Sequence, residues 1–160
     1  MSERNPAEYR PCVGAMMVNA NGQAFVGKRI DNREGDWWQM PQGGVDPDED
    51  PDKALVRELA EEAGVSPAQL HIVARLPGEL FYDLPAELRS TLWGGRYKGQ
   101  RQRWYLVRYT GRDDQIDLAA YAHPEFCEWK WVDPALLPDL IVPFKRAIYQ
   151  IVVEAFSDKL

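Results

Sequence analysis

One stretch, GGVDPDEDPDKALVRELAEEAGV from Gly43 to Val65, constrains the fold more than any other part of the chain. It carries its own helix punctuation. Asp50 can cap a helix, Pro51 suits the first helical position, where a missing N–H costs nothing, and Gly64 suits the left-handed position that ends a helix. The spacing therefore predicts a helix starting at Pro51 and ending before Gly64. With about 100° per residue, Leu55, Val56, Leu59 and Ala63 share one face. Glu58, Glu61 and Glu62 are spaced i, i+3, i+4 and lie on another arc. Like charges at that spacing destabilise an isolated helix by roughly 0.2–0.5 kcal/mol per pair, and Arg57, four residues before Glu61, offsets part of this. Two explanations are open: a solvated face, or carboxylates that hold something positive. Hard divalent cations such as Mg²⁺ prefer oxygen ligands and fit the second.

The rest of the chain is globular in character. Its 160 residues fit one domain spanning 1–160, and a 45% hydrophobic fraction with six Trp is too apolar for disorder. No apolar run approaches the roughly 20 residues of a membrane span, and the opening MSERNPAEYR is too polar for a secretory signal. Cys12 and Cys127 are far apart, lack metal-ligand spacing and read as reduced core thiols of a cytoplasmic protein. The net charge of −6 conceals +7 in one segment, 88–112, and −13 elsewhere: Arg89, Arg96, Lys98, Arg101, Arg103, Arg108 and Arg112 occur there with no acidic residue. Such an asymmetry points to a local anionic ligand.

CVGAMMVN and QAFVGKRI read as strands, joined by a tight hairpin at Asn21-Gly22. DWWQMPQGG reads as a short strand ending in a glycine loop. HIVARL, ELFYDL, RWYLVRYTG and FCEWKWVD are further strands, and LPAELRSTLWGGRYKGQRQ a long loop. A last helix starts near Pro143, with Phe144, Ala147, Ile148, Ile151, Val152 and Ala155 as its packing stripe. The order implies an α/β (α+β) domain, a mixed sheet with helices on it.

Gly43, Glu49, Arg57, Glu58, Glu61, Glu62 and Gly64, with aliphatic Leu59 and Val65, occupy every fixed position of a Nudix box, and the chain resembles that hydrolase family. The resemblance implies a mixed sheet sandwiched between helices, with the box as loop-helix-loop. It implies Mg²⁺ or Mn²⁺, more than one ion, and a nucleoside-diphosphate-linked substrate. Glu58, Glu61 and Glu62 resemble the metal carboxylates and the Gly43 carbonyl an added ligand. Arg57 resembles the partner that orients the glutamates, and Glu49 a loop-to-helix brace.

Beyond the box, YRPCVG, WWQMPQGGVD, YKGQRQRWYL, PEFCEWKWV and VPFKRAIY resemble bacterial RNA 5′-pyrophosphohydrolases and the related asymmetric dinucleoside polyphosphate hydrolases. Cys12 stands where that subfamily usually has Asn, and Asp48 where it often has Gly. Glu125 resembles a distant carboxylate that joins the metal cluster. Arg10 and Arg29 resemble phosphate-binding arginines, and Lys98 sits where it could reach the polyphosphate. Tyr82 and Phe144 either stack on a base or pack in the core. Gln39 and Gln42 either face the substrate or satisfy the glycine loop.

A polyphosphate resists attack because its oxygens repel the nucleophile; bound divalent ions neutralise that charge and acidify water. Glu61 is the expected base, with Glu58 and Glu62 mainly ligands and Glu125 the competing base. His71 and His123 fall outside the motifs, and no set for covalent catalysis is present. Three activities compete: release of pyrophosphate from 5′-triphosphorylated RNA, cleavage of dinucleoside polyphosphates, and nucleotide binding without turnover. The intact box argues against the last. Trp93, Tyr97, Trp104 and Tyr105, interleaved with the arginines, favour RNA.

Overall fold

The computed structural model describes residues 5–31, 35–89, 92–121 and 123–160, without the side chains of Leu92 and Trp93. Seven strands form one mixed sheet: β1 (Tyr9–Val18), β2 (Ala24–Arg29), β3 (Gln42–Gly44), β4 (Leu70–Arg75), β5 (Leu80–Asp83), β6 (Gly99–Tyr109) and β7 (Phe126–Val132). The order is β4-β6-β1-β2-β7, with β3 added to β1 and β5 to β6. β1 runs parallel to β6, and every other pair is antiparallel. The α-helices among the described residues are α1 (Pro51–Ala63), α2 (Ala86–Arg89), α3 (Leu137–Leu140) and α4 (Arg146–Phe156), with short 3₁₀ turns between elements.

β1 is buried on both faces, which explains its continuous apolar run. Val13, Ala15 and Met17 pack with Leu55, Leu59 and Ala63 of α1. Met16 and Val18 pack with Ile148, Val152 and Phe156 of α4 on the other side. The expected sandwich of sheet between helices is therefore present.

α1 has the predicted ends. Asp50 Oδ1 accepts from Asp52 N–H at 3.2 Å, Pro51 opens the helix, and Gly64 closes it at φ +67°. A Cβ at Gly64 would also sit 2.1 Å from the Asp117 carbonyl oxygen.

Several expectations change. The β1–β2 connection is a longer loop, in which Asn19 Oδ1 accepts from both Asn21 and Gln23 N–H at 3.0 Å; only Gly22 has positive φ. The 84–102 segment holds α2 and a 3₁₀ turn at Leu92–Gly95 before β6 begins. The stripe of α4 is Ile148, Tyr149, Val152 and Phe156, while Phe144, Ala147 and Ile151 are exposed. Cys12 is buried, but Cys127 lies exposed on edge strand β7, because Phe126 beside it takes the inward side of the pleat. Trp104 and Tyr105 are core residues and have no face for a base.

Candidate active site

The two halves of the box meet at β3. Gln42 N–H donates to Glu62 Oε2 at 3.1 Å. A Cβ at Gly43 would fall 2.1 Å from Glu58 Cδ, so a larger residue here would push the Glu58 carboxylate aside. From the far side, the β2–β7 ladder delivers Glu125: a bulge at Lys28/Arg29 bends β2, and Ile30 N–H donates to the Glu125 carbonyl at 2.9 Å. Carboxylate oxygens of Glu58, Glu62 and Glu125 then lie within 4.8 Å of one another.

Arg57 ties the box together. Its Nε and Nη2 donate to the two oxygens of Glu49, both at 2.9 Å. Nη2 also reaches the Gly44 carbonyl at 2.9 Å, and Nη1 donates to Glu58 at 2.9 Å and more loosely to Glu61 at 3.4 Å. The Arg57 guanidinium holds the Glu49 carboxyl down at about 2. Glu61 stays half-exposed outside the close trio.

Burial, opposed by Arg57, pushes Glu58 up to about 7. Glu62, only 1% exposed, is raised well above the usual carboxylate range by burial and by Glu125 beside it. Among the described residues no hydrogen-bond donor reaches its buried Oε1. Three converging carboxylates with an orphaned acceptor fit a hard divalent cation, which accepts oxygen ligands of that kind.

Two of the trio, Glu58 and Glu125, line a cavity of about 480 Å³, and Glu62 is buried next to them. Arg10, Arg29 and Lys145 supply its cations. Arg10 packs on Gly44, where a Cβ would come 2.5 Å from Nη2. Arg29 makes a bidentate pair with Asp31, both contacts 2.8 Å, which raises its pKa further. Burial, with Arg29 nearby, lowers Lys145 to about 8. The N-terminal end of α4 is placed by Met40 N–H donating to the Tyr149 hydroxyl at 2.8 Å. Phe144 is 40% exposed and Tyr82 buried behind it, ring centroids 5.8 Å apart.

Most expected site residues are thus brought together: Glu58, Glu62, Glu125, Gly43, Arg10, Arg29, Gln42, Tyr82 and Phe144. Gln39 is buried, exchanges backbone hydrogen bonds with Gly27 and does not line the cavity. Lys98 is exposed, ion-paired with Glu8, and also lies off the cavity wall. The aromatic side chain of Trp93 lies outside the described residues. Lys145, Gln100 and Asp31 line the cavity without having been singled out. Lys145 directly follows Phe144, so helix-end position was a signal for it; Asp31 carries none. None of the cavity cations comes from the basic segment, whose Arg89, Lys98, Arg101 and Arg112 pair with Asp83, Glu8, Glu79 and Asp114.

The chain is similar to known proteins in sequence and in fold. A curated protein from Novosphingobium aromaticivorans, named RNA pyrophosphohydrolase, is 55% identical over 94% of this chain and 93% of its own length. One of the same name from Erythrobacter litoralis is 52% identical over 97% and 94%. Among solved structures, a C. elegans Ap4A hydrolase complex superposes with TM-score 0.65 at 21% identity, covering 93% of this chain and 99% of that one. The E. coli dihydroneopterin triphosphate pyrophosphohydrolase gives TM-score 0.69 at 20% identity, covering 91% and 98%. These distant structures share the fold. The NUDIX domain model matches residues 8–151, and with carboxylates, brace and glycines all in place the chain belongs to the NUDIX family.

Proposed function

We propose that this protein hydrolyses the 5′-triphosphate of RNA, releasing pyrophosphate and leaving a 5′-monophosphate, with Mg²⁺ or Mn²⁺ as cofactor. The observation that carries this reading is one cavity lined both by Glu58 and Glu125 of the carboxylate trio and by Arg10, Arg29 and Lys145. Curated relatives about half identical over nearly the whole chain bear the name RNA pyrophosphohydrolase. Its two free thiols suit a reducing compartment such as the cytoplasm.

Glu58, Glu62 and Glu125, with the Gly43 carbonyl, would hold divalent ions, which when bound supply charge neutralisation and an acidified water. Arg57 fixes Glu58 and steadies Glu61. Glu61, left outside the trio, takes the proton from the attacking water. Arg10, Arg29 and Lys145 hold the phosphate chain against the trio. Phe144 offers an open ring to the first base.

One observation favours the second reading, a dinucleoside polyphosphate hydrolase. Trp104 and Tyr105 are buried, and much of the basic segment is ion-paired. A short bridge between two nucleosides needs little more than the cavity itself. The deciding experiment compares kcat/KM for triphosphorylated RNA and diadenosine tetraphosphate, with products identified. Pyrophosphate and monophosphorylated RNA at the higher kcat/KM are expected. Preferred release of ATP from the dinucleotide would replace the RNA reading with the second.

A further inference from the structure

A chain of hydrogen bonds runs from the core to the cavity wall along β6. Gln100, Gln102 and Trp104 alternate on one face of that strand, and all are buried. Trp104 Nε1 donates to Gln102 Oε1 at 2.9 Å. Gln102 Nε2 donates to Gln100 Oε1 and to Gln42 Oε1, each at 2.8 Å.

The polarity of this chain is forced from its buried end. An indole N–H only donates, so it can bond only to the carbonyl end of Gln102. That turns the NH₂ of Gln102 toward its two neighbours, and both its hydrogens are used. An NH₂ group only donates, so Gln42 and Gln100 must each offer it an oxygen. Their own NH₂ groups are thereby excluded from the contact. Both residues line the cavity, whereas Gln102, 2% exposed, does not. Among the described residues, neither Gln42 Nε2 nor Gln100 Nε2 has a hydrogen-bond partner, and neither is sealed from solvent.

We propose that Gln102 is a positioning residue that sets the polarity of the cavity wall, so that Gln42 and Gln100 present N–H donors to the oxygens of a bound polyphosphate. This rests on the polyphosphate reading of the cavity. The two ends of an amide have nearly the same shape, so nothing steric stops Gln42 or Gln100 from turning over. Turned over, each would set a carbonyl oxygen against phosphate oxygens. Gln102 prevents this because its own orientation is fixed by Trp104, out of reach of ligand and solvent.

Inorganic tripolyphosphate, which has no base, is the probe. In wild-type protein with ¹⁵N-labelled glutamine side chains, tripolyphosphate with Mg²⁺ should shift the NH₂ resonances of Gln42 and Gln100 and leave those of Gln102 in place. Gln42→Glu and Gln100→Glu assign the resonances. Each also keeps the acceptor toward Gln102 while removing the cavity donor, so each should weaken tripolyphosphate. Gln102→Glu can only accept, which obliges its neighbours to turn their NH₂ groups inward. It should raise the tripolyphosphate Kd by about tenfold or more, as expected for lost hydrogen bonds to a charged group. KM for the triphosphorylated substrate should rise with it, and kcat should change less. Gln102→Leu imposes no orientation and should have the smaller effect on Kd, although it orphans more buried groups and should cost more in Tm. A structural role alone would make the Kd follow the Tm. Equal weakening by Leu and Glu, or silent Gln42 and Gln100 resonances while tripolyphosphate binds, overturns the proposal. Should Gln102→Glu not fold, the wild-type spectra and the Gln42→Glu and Gln100→Glu arms still decide. Failure of the wild-type protein to bind tripolyphosphate at all would instead overturn the polyphosphate reading, and the proposal with it.

Discussion

Glu62 combines near-complete burial with an oxygen that no donor among the described residues reaches. A carboxylate in that position penalises the fold until a cation or a proton relieves it. Glu62→Gln removes the penalty, since an amide nitrogen can donate to Glu125, yet it also removes an anionic ligand. Its kcat should fall by roughly 10²-fold or more, as when a single electrostatic contributor is lost, while the metal-free Tm holds or rises. Parallel assays and thermal scans check this; a lower Tm with normal turnover would contradict it. Gly43 was legible in the sequence as a fixed box position, but its reason was not, because the clash with Glu58 exists only after β3 and α1 pack. Gly43→Ala should displace Glu58 and cost roughly 10²-fold in turnover, the scale of a 1 Å misplacement. Lys98 and Lys145 exchange their expected importance. Lys98 was conspicuous within the basic segment but pairs with Glu8, whereas Lys145 was inconspicuous and lines the cavity. Lys145→Ala should raise KM more than Lys98→Ala, and equal KM values would assign neither to the phosphates.

At the scale of elements, α1 was readable to its ends because caps and periodicity are local signals. α4 was not, and the reason is geometric. Pro143–Lys145 form a 3₁₀ turn, which winds more tightly than the α-helix starting at Arg146. A stripe counted from Phe144 at α-helical pitch is therefore out of phase, and it passes over Tyr149, whose hydroxyl anchors the helix to Met40. The seven basic residues were legible as a charge asymmetry, but four of them pair with acids just outside the segment, Asp83 and Asp114, or farther off in the chain, Glu8 and Glu79, and those pairings are set by the fold and not by composition. The α1 brace yields a pH prediction. Glu49 is held at about 2, below its ordinary 4.5, by Arg57. The folded state thus binds fewer protons than the unfolded state between these values. The contribution of Glu49 is complete above about 4.5 and is lost as pH falls toward about 2. Glu49→Gln should flatten the fall of the urea midpoint across that window. An unchanged slope would show that the pair is not what holds the loop to the helix.

At the scale of the whole molecule, the sheet carries two clefts that share Arg10. The first is the carboxylate cavity; the second, of about 580 Å³, is lined on one part by Arg96, Tyr97, Arg101 and Arg103 and on another by Asp46, Asp48, Glu49 and Glu79. Arg101 is paired with Glu79, while Arg96 and Arg103 are exposed, Arg96 lying over the Tyr97 ring at 5.2 Å. Among the described residues no helix is long and apolar enough to cross a membrane. A triphosphorylated RNA several nucleotides long carries phosphates beyond the first cavity, and Arg10 leads from there to Arg96 and Arg103. A dinucleoside polyphosphate carries its charge in one bridge, which the first cavity alone accommodates. Each single-strand phosphate neutralised should add roughly 0.7 to the slope of log affinity against log salt. The RNA slope should therefore exceed the dinucleotide slope by about one or more at equal Mg²⁺. Arg96→Ala combined with Arg103→Ala should lower the RNA slope and leave the dinucleotide slope unchanged, since neither residue lines the first cavity. Measuring both substrates at several salt concentrations, in wild type and double variant, separates the possibilities. Two equal slopes would confine all phosphate recognition to the first cavity and remove the main physical reason for an RNA strand to be preferred.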